Sequence, residues 1–221
     1  MAQNGIIDRE NELKKNFISA VKEVFGLEIK EEDYEKISAE KFVSLKKALR
    51  NINNIVTLKV TNLFIDKLKD AKIIEKSQAK AMKDDVNSIS ANANGYDVEY
   101  PNPKGTNVLV DNPINILAEV KCNIPVGKTQ FGSAQKAGIL KDIEGLLNGE
   151  KKLKSEAEVG SYFKFMVFMD YEDENHNVRD SVETLLKNTP YKVKYYDENC
   201  HDGKCQLDND HVYIIFISSE K

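Results

Sequence analysis

Glu119 and Lys121 stand two residues apart in the run Ile116–Cys122, which reads ILAEVKC. Side chains alternate along a strand, so the acid and the ammonium share one face, while Ala118, Val120 and Cys122 take the other. Charges in so apolar a strand are costly to bury unless they are paired or bound to something. One way to satisfy the pattern is an ion pair at a solvated strand end. The other needs a second acid, and Asp97 supplies it in GYDVE (95–99), 22 residues upstream. That run also has strand character and can lie beside the Glu119 strand. An Asp and a Glu on neighbouring strands can converge on a hard divalent cation. Mg²⁺ takes only one or two protein carboxylates, completing its shell with waters and phosphate oxygens. The carbonyl oxygen of Val120 is a possible third ligand. A lysine nearby can orient a metal-bound water whose pKa the cation has already lowered. The expected metal set is therefore Asp97, Glu119 and Val120.

An Asp, then Glu119-Val120-Lys121 at the end of a hairpin, then an amphipathic helix and an apolar strand resemble the PD-(D/E)xK nuclease superfamily. Many type II restriction endonucleases and several repair and recombination nucleases share that fold. The resemblance covers about Gly95 to Asp170. It implies a restriction endonuclease-like core in which Asp97 and Glu119 bind Mg²⁺ and Lys121 is the catalytic lysine. The implied activity is Mg²⁺-dependent hydrolysis of phosphodiester bonds in double-stranded DNA, most simply by a type II restriction enzyme. Cutting both strands favours a homodimer whose two-fold axis matches a palindromic site. Tyr96 stands where the family pattern has Pro. Asp111 competes as the upstream acid, but it lies in an Asp-Asn-Pro turn that explains it by turn chemistry, so Asp97 is preferred. Glu99 shares the strand face of Asp97 and either supplements the site or is a solvated neighbour. Some relatives draw another acid from an early helix, and Glu12 or Glu23 could fill that role.

The stretch after the motif, VGKTQFGSAQK (126–136), enters a helix. Gly127-Lys128-Thr129 looks like the end of a phosphate-binding loop, but position 122 is Cys where that loop needs Gly. A helix N-terminus favours phosphate, which makes Lys128, Gln130, Ser133, Gln135 and Lys136 candidates for a nucleic-acid backbone; the alternative is a polar helix start. Cys200 and Cys205, with His211 beyond, have spacing at the edge of the structural zinc range and no second pair. A hairpin loop around Asp202-Gly203 explains them better. His176 falls in an acidic loop and reads as solvated. Three histidines and no Gly-x-Ser-x-Gly leave a Ser/His hydrolase poorly supported. Tyr195 and Tyr196 suit base stacking or strand packing.

The elements that must hold these residues follow from periodicity. Leu13, Phe17, Val21 and Val24 make one helical stripe ended by Gly26. Phe42, Leu45, Leu49, Ile52, Ile55 and Val56 make a second, with Ser38 as its N-cap. Leu63–Leu68 and Ala79–Ile89 supply two more. The pattern changes at the loop signal 90–95. Strands are expected over Tyr96–Tyr100, Asn107–Val110 and Ile116–Cys122, the three forming an antiparallel meander. A helix follows from about Phe131 to Asn148, then a charged linker over Lys151–Glu158 and an apolar strand over Tyr162–Met169. A short helix runs from Val178, with closing strands at Tyr191–Tyr196 and His211–Ile217. The expected fold class is α/β: a mixed central β-sheet flanked by helices, with an N-terminal helical region. Residues 1–90 form that region, for dimerisation or DNA clamping, and residues 91–221 form the nuclease core.

The chain has 221 residues with 41% hydrophobic and 31% charged residues, which excludes collagen-like and wholly disordered chains. Its net charge of −4 argues against a histone-like coat for nucleic acid. The distribution is uneven: residues 120–155 hold seven lysines against three acids, next to the Glu-x-Lys motif. No apolar run approaches the roughly 18 residues that cross a bilayer. The first residues lack the basic start and apolar region of a secretory signal. An odd set of three cysteines suits a reducing cytoplasm. The rival expectation is a non-catalytic interaction protein with a structural Glu119–Lys121 pair.

Overall fold

The computed structural model describes residues 2–49, 52–88, 95–102, 110–149, 158–196 and 207–218. The chain forms two compact units, Met1–Ile52 and Asn53–Lys221.

The first unit holds α1 (Ala2–Phe25), α2 (Glu31–Glu35) and α3 (Ala39–Ala48). Gly26 ends α1 with φ +64, a left-handed conformation that glycine adopts without a Cβ clash, and its N–H returns to the Lys22 carbonyl at 2.9 Å. Ser38 caps α3 by accepting from the Lys41 N–H at 3.4 Å. Each helix contributes one ring to a cluster of Phe17, Tyr34 and Phe42, with centroids 5.3 to 5.7 Å apart. The stripe expected from Phe42 to Val56 belongs to two helices. The chain leaves α3 after Ala48, and a new helix begins at Ile52. The short α2 carries three acids in one turn and no apolar period to announce it.

The second unit contains α4 (Ile52–Asp70), α5 (Lys76–Ser88), β1 (Val98–Tyr100), β2 (Ile116–Lys121), α6 (Ser133–Asn148), β3 (Phe163–Asp170), α7 (Val178–Leu186), β4 (Val193–Tyr195) and β5 (Val212–Ser218). The strands form one five-stranded mixed sheet in the order β1-β2-β3-β5-β4. β1 runs antiparallel to β2, and every other neighbouring pair is parallel. Parallel neighbours need a long crossover, which α6 provides between β2 and β3.

Alternation along the strands sends side chains into two cores. Ile116, Ala118, Val120, Phe165, Val167 and Ile215 pack with Phe64, Ile65 and Leu68 of α4 and Ala79 and Met82 of α5. Leu117, Met166, Phe168, Ile214 and Phe216 pack with Ile139, Ile143 and Leu146 of α6 and Val178, Val182 and Leu186 of α7. The fold is thus mixed α/β, a sheet flanked by helices. Helical character does extend to Ser88 as expected, but the unit boundary falls between Ile52 and Asn53, well before residue 90. The reason is burial: α4 and α5 complete the core beneath β2 and β3.

Residues 103–109, 150–157 and 197–206 lie outside the described residues. The expected strand Asn107–Val110, the charged linker and the Cys200–Cys205 loop fall on them. Among the described residues no helix is long and apolar enough to cross a membrane.

Candidate functional site

The register of β1 on β2 decides where Asp97 lies. Glu99 pairs with Leu117 and Val98 with Ala118. The ladder ends at that last pair, and Asp97 lies one residue before β1, beside the continuing β2 strand. The strand has already ended there, and a side chain takes over from the backbone: the Val120 N–H donates to Asp97 Oδ2 at 2.7 Å. This bond fixes the Asp97 carboxylate at the corner where β1 gives way and β2 continues.

Glu119 follows Leu117 onto the α6 face and is 5% exposed. Lys121 occupies the same face one pleat on. Its Nζ lies 2.5 Å from Asp142 Oδ2 and 3.9 Å from Glu119 Oε2. Asp142 belongs to α6, three residues after buried Ile139 and one before buried Ile143, so helical periodicity carries it along the edge of the helix's core stripe. Two further contacts hold α6 in place. The Tyr96 hydroxyl donates to the Gly145 carbonyl at 2.5 Å, and apolar packing seats Ile139, Ile143 and Leu146 in the second core. Met166 and Phe168 of β3 pair with Glu119 and Lys121 and line the other side with apolar surface. A low-dielectric wall of this kind strengthens every charge interaction beside it.

Lys121 thus contacts two acids, Glu119 and Asp142, while Asp97 is held to the intervening Val120 N–H. Among the described residues no group of three or more His, Cys, Asp or Glu side chains is gathered as a metal cage. The donor chemistry on hand is the carboxylates of Asp97 and Glu119, hard oxygen donors of the number Mg²⁺ asks of a protein. Val120 directs its side chain into the first core and spends its N–H on Asp97.

The other candidates are scattered. Glu99 is buried across from Leu117. Asp111 is exposed in a turn whose next residue, Asn112, has φ +49. Glu12 and Glu23 are exposed on α1. Lys128 and Gln130 sit exposed in the turn where Gly127 bridges Gln130, and Ser133 is exposed as the first residue of α6. Gln135 has both ends engaged. Its Oε1 accepts from the Gly132 N–H at 2.9 Å and its Nε2 donates to the Ile124 carbonyl at 3.0 Å. Gln135 thus makes the reach-back half of a capping box, which a glycine at the N-cap cannot reciprocate. Lys136 is half-buried one residue on.

Beyond this corner, Tyr195 lies parallel to Phe216, 6.4 Å between centroids, which is strand packing. His176 contacts Asp173 at 2.8 Å in the acidic loop. His211 contacts Asp208 at 2.6 Å, and Lys194 reaches the same carboxylate at 2.8 Å. Those contacts, Lys194 foremost, hold the Asp208 carboxyl well below the usual carboxylate range.

Sequence reasoning missed two groups. Asp142 is one; its signal was the helical period that brackets it between Ile139 and Ile143. The second is Lys164, 2% exposed in β3, where it donates to the carbonyls of Tyr162 and Asn209. Burial pushes its ammonium pKa down, opposed by Asp210 and Asp208. No family model, curated protein or solved structure matches the chain.

Proposed function

We propose that the second unit is a Mg²⁺-dependent nuclease that hydrolyses phosphodiester bonds in double-stranded DNA, acting through Asp97, Glu119 and Lys121. The observation that supports this reading is the hydrogen bond from the Val120 N–H to Asp97 Oδ2 at 2.7 Å, which brings Asp97 to the Glu119-Val120-Lys121 run. Asp97 and Glu119 would hold the cation, with the Val120 carbonyl as a further donor. Bound there, Mg²⁺ would supply charge stabilisation for the phosphate and a water of lowered pKa. Glu119 would present a carboxylate fixed by burial. Lys121 would orient the attacking water and offset negative charge on the scissile phosphate. Lys128, Gln130, Ser133 and Lys136, at the entry to α6, would meet the DNA backbone, where contacts position without reading sequence. Gln135 would support that loop rather than touch the backbone. A type II restriction enzyme acting as a cytoplasmic homodimer fits this chemistry. A repair or recombination nuclease is the variant with the same site.

Digestion of a supercoiled, mixed-sequence plasmid with Mg²⁺ tests the reading. Discrete bands are expected for a sequence-specific enzyme, and a smear for an unspecific one. Glu119→Gln should remove cleavage by roughly a hundredfold or more while leaving the far-ultraviolet circular dichroism unchanged. Cleavage at the wild-type rate by this variant refutes the assignment.

A second reading has its own observation. The Lys121–Asp142 contact at 2.5 Å, with Glu119 behind it, also describes a buried structural ion-pair network in a non-catalytic interaction protein. That reading predicts plasmid left supercoiled at every Mg²⁺ concentration.

A further inference from the structure

We infer that Asp142 is a positioning residue for Lys121 and tunes how tightly the same corner holds a divalent cation. The inference rests on the nuclease reading above and adds a residue that the Asp97–Glu119–Lys121 pattern does not contain.

The argument is a competition for one ammonium. Lys121 Nζ stands within hydrogen-bonding distance of Asp142 Oδ2, at 2.5 Å, and only at loose ion-pair distance from Glu119 Oε2, at 3.9 Å. The lysine is 20% exposed, Asp142 14% and Glu119 6%, so the contest takes place with little water to screen it. A divalent cation on Asp97 and Glu119 takes up the Glu119 charge and repels the neighbouring ammonium. Without Asp142 the lysine side chain, long and flexible, would swing toward solvent. With Asp142 it would keep an acidic partner on α6 and its place beside Glu119. Asp142 also adds one negative charge near the cation without being needed as its ligand. The carboxylate rides on α6, which the Tyr96–Gly145 hydrogen bond and the apolar stripe fix against the sheet. Its position is therefore set by the fold rather than by the ligand.

The test compares wild type, Asp142→Asn and Asp142→Glu in two assays. Mn²⁺ titration followed by electron paramagnetic resonance reads cation affinity without turnover. Asp142→Asn should weaken it by about 10- to 100-fold, the usual cost of losing a partner behind a metal's ligands. Plasmid cleavage at saturating Mg²⁺ should then show kcat reduced with KM for DNA little changed. Asp142→Glu keeps the charge and should recover both quantities toward wild type. A merely structural pair would lower the melting temperature of Asp142→Asn and leave Mn²⁺ affinity and the kcat/KM split untouched, and that result overturns the inference alone. A wild-type protein that neither binds Mn²⁺ nor cleaves DNA overturns the nuclease reading and the inference together. Should Asp142→Asn fail to fold, the wild type still decides. With Mg²⁺ saturating, a hydrogen-bond scalar coupling should join Lys121 Nζ to the Asp142 carboxylate carbon, and its absence is fatal.

Discussion

The Asp97 carboxylate holds the Val120 N–H at 2.7 Å, and this bond separates a structural role from a catalytic one. Two substitutions divide them. Asp97→Ala removes the acceptor and strands an N–H on a residue that is 5% exposed. A hydrogen bond to a charged group contributes about 1.5–3 kcal/mol, and an orphaned buried donor costs about 1–3 kcal/mol. Asp97→Asn keeps an oxygen in place and exchanges a charged bond for a neutral one of about 0.5–1.5 kcal/mol. The alanine variant should therefore be less stable than the asparagine variant by about 1 kcal/mol, a difference of about 2–4 °C in Tm for a chain of this size. Urea titration with a shared m-value measures it. Activity should not follow stability: both variants should lose Mg²⁺-dependent cleavage, because an amide is a poor replacement for an anionic ligand. Equal stability of the two variants refutes the account of the strand corner. Cleavage retained by Asp97→Asn refutes the carboxylate's part in the chemistry. The two results are independent.

The core and the surface offer simpler tests. Phe165 is fully buried between the rings of Phe64 and Tyr213, at 5.3 and 5.9 Å, so Phe165→Ala should cost about 3–5 kcal/mol in urea unfolding; a loss under 1 kcal/mol, an arbitrary threshold set well below that range, contradicts the packing. Asp208 is held below the usual carboxylate range, chiefly by Lys194. Its folded-state pKa is depressed, so the stability it adds is present at neutral pH and declines as pH falls below the ordinary Asp value of about 4. Thermal melts of wild type and Asp208→Asn from pH 7 to pH 2 should converge toward the acid end, and a gap that stays constant across that range counts against the contact.

Much of this architecture could be read from local patterns. Alternation in ILAEVKC placed Glu119 and Lys121 on one face and the small apolar residues on the other, and the sheet reports the same division. The period through Ala134, Ala137, Leu140, Ile143 and Leu147 announced α6, although the residues it buries are Ile139, Ile143 and Leu146, and Gly26 and Ser38 marked helix ends as expected. What stayed hidden depended on partners distant in the chain. No local pattern distinguishes one long stripe from the two helices α3 and α4 when both carry the same kind of residue at the same period. Nothing near Tyr191 reveals that its strand lies outside β5 instead of beside β3. Lys164 breaks the apolar run of β3 and would be read as exposed, yet two backbone carbonyls receive its ammonium beneath the sheet. Gln135 looked like a phosphate contact because its type suits one; the N–H of Gly132, left without a side-chain cap, claims it instead.

The strand order carries a consequence for synthesis. Among the described residues β4 pairs only along β5, and β5 sits between β3 and β4. A nascent chain can therefore zip β1, β2 and β3 together while α7 and β4 wait unattached, and Val212–Ser218 must slot in between them afterwards. Until it does, β3 offers the bare outer edge of FKFMVFMD, an invitation to foreign strands. A ribosome stalled just short of Val212 would release a species with its sheet open on that side. Its aggregation should be far more severe than the few missing residues would suggest.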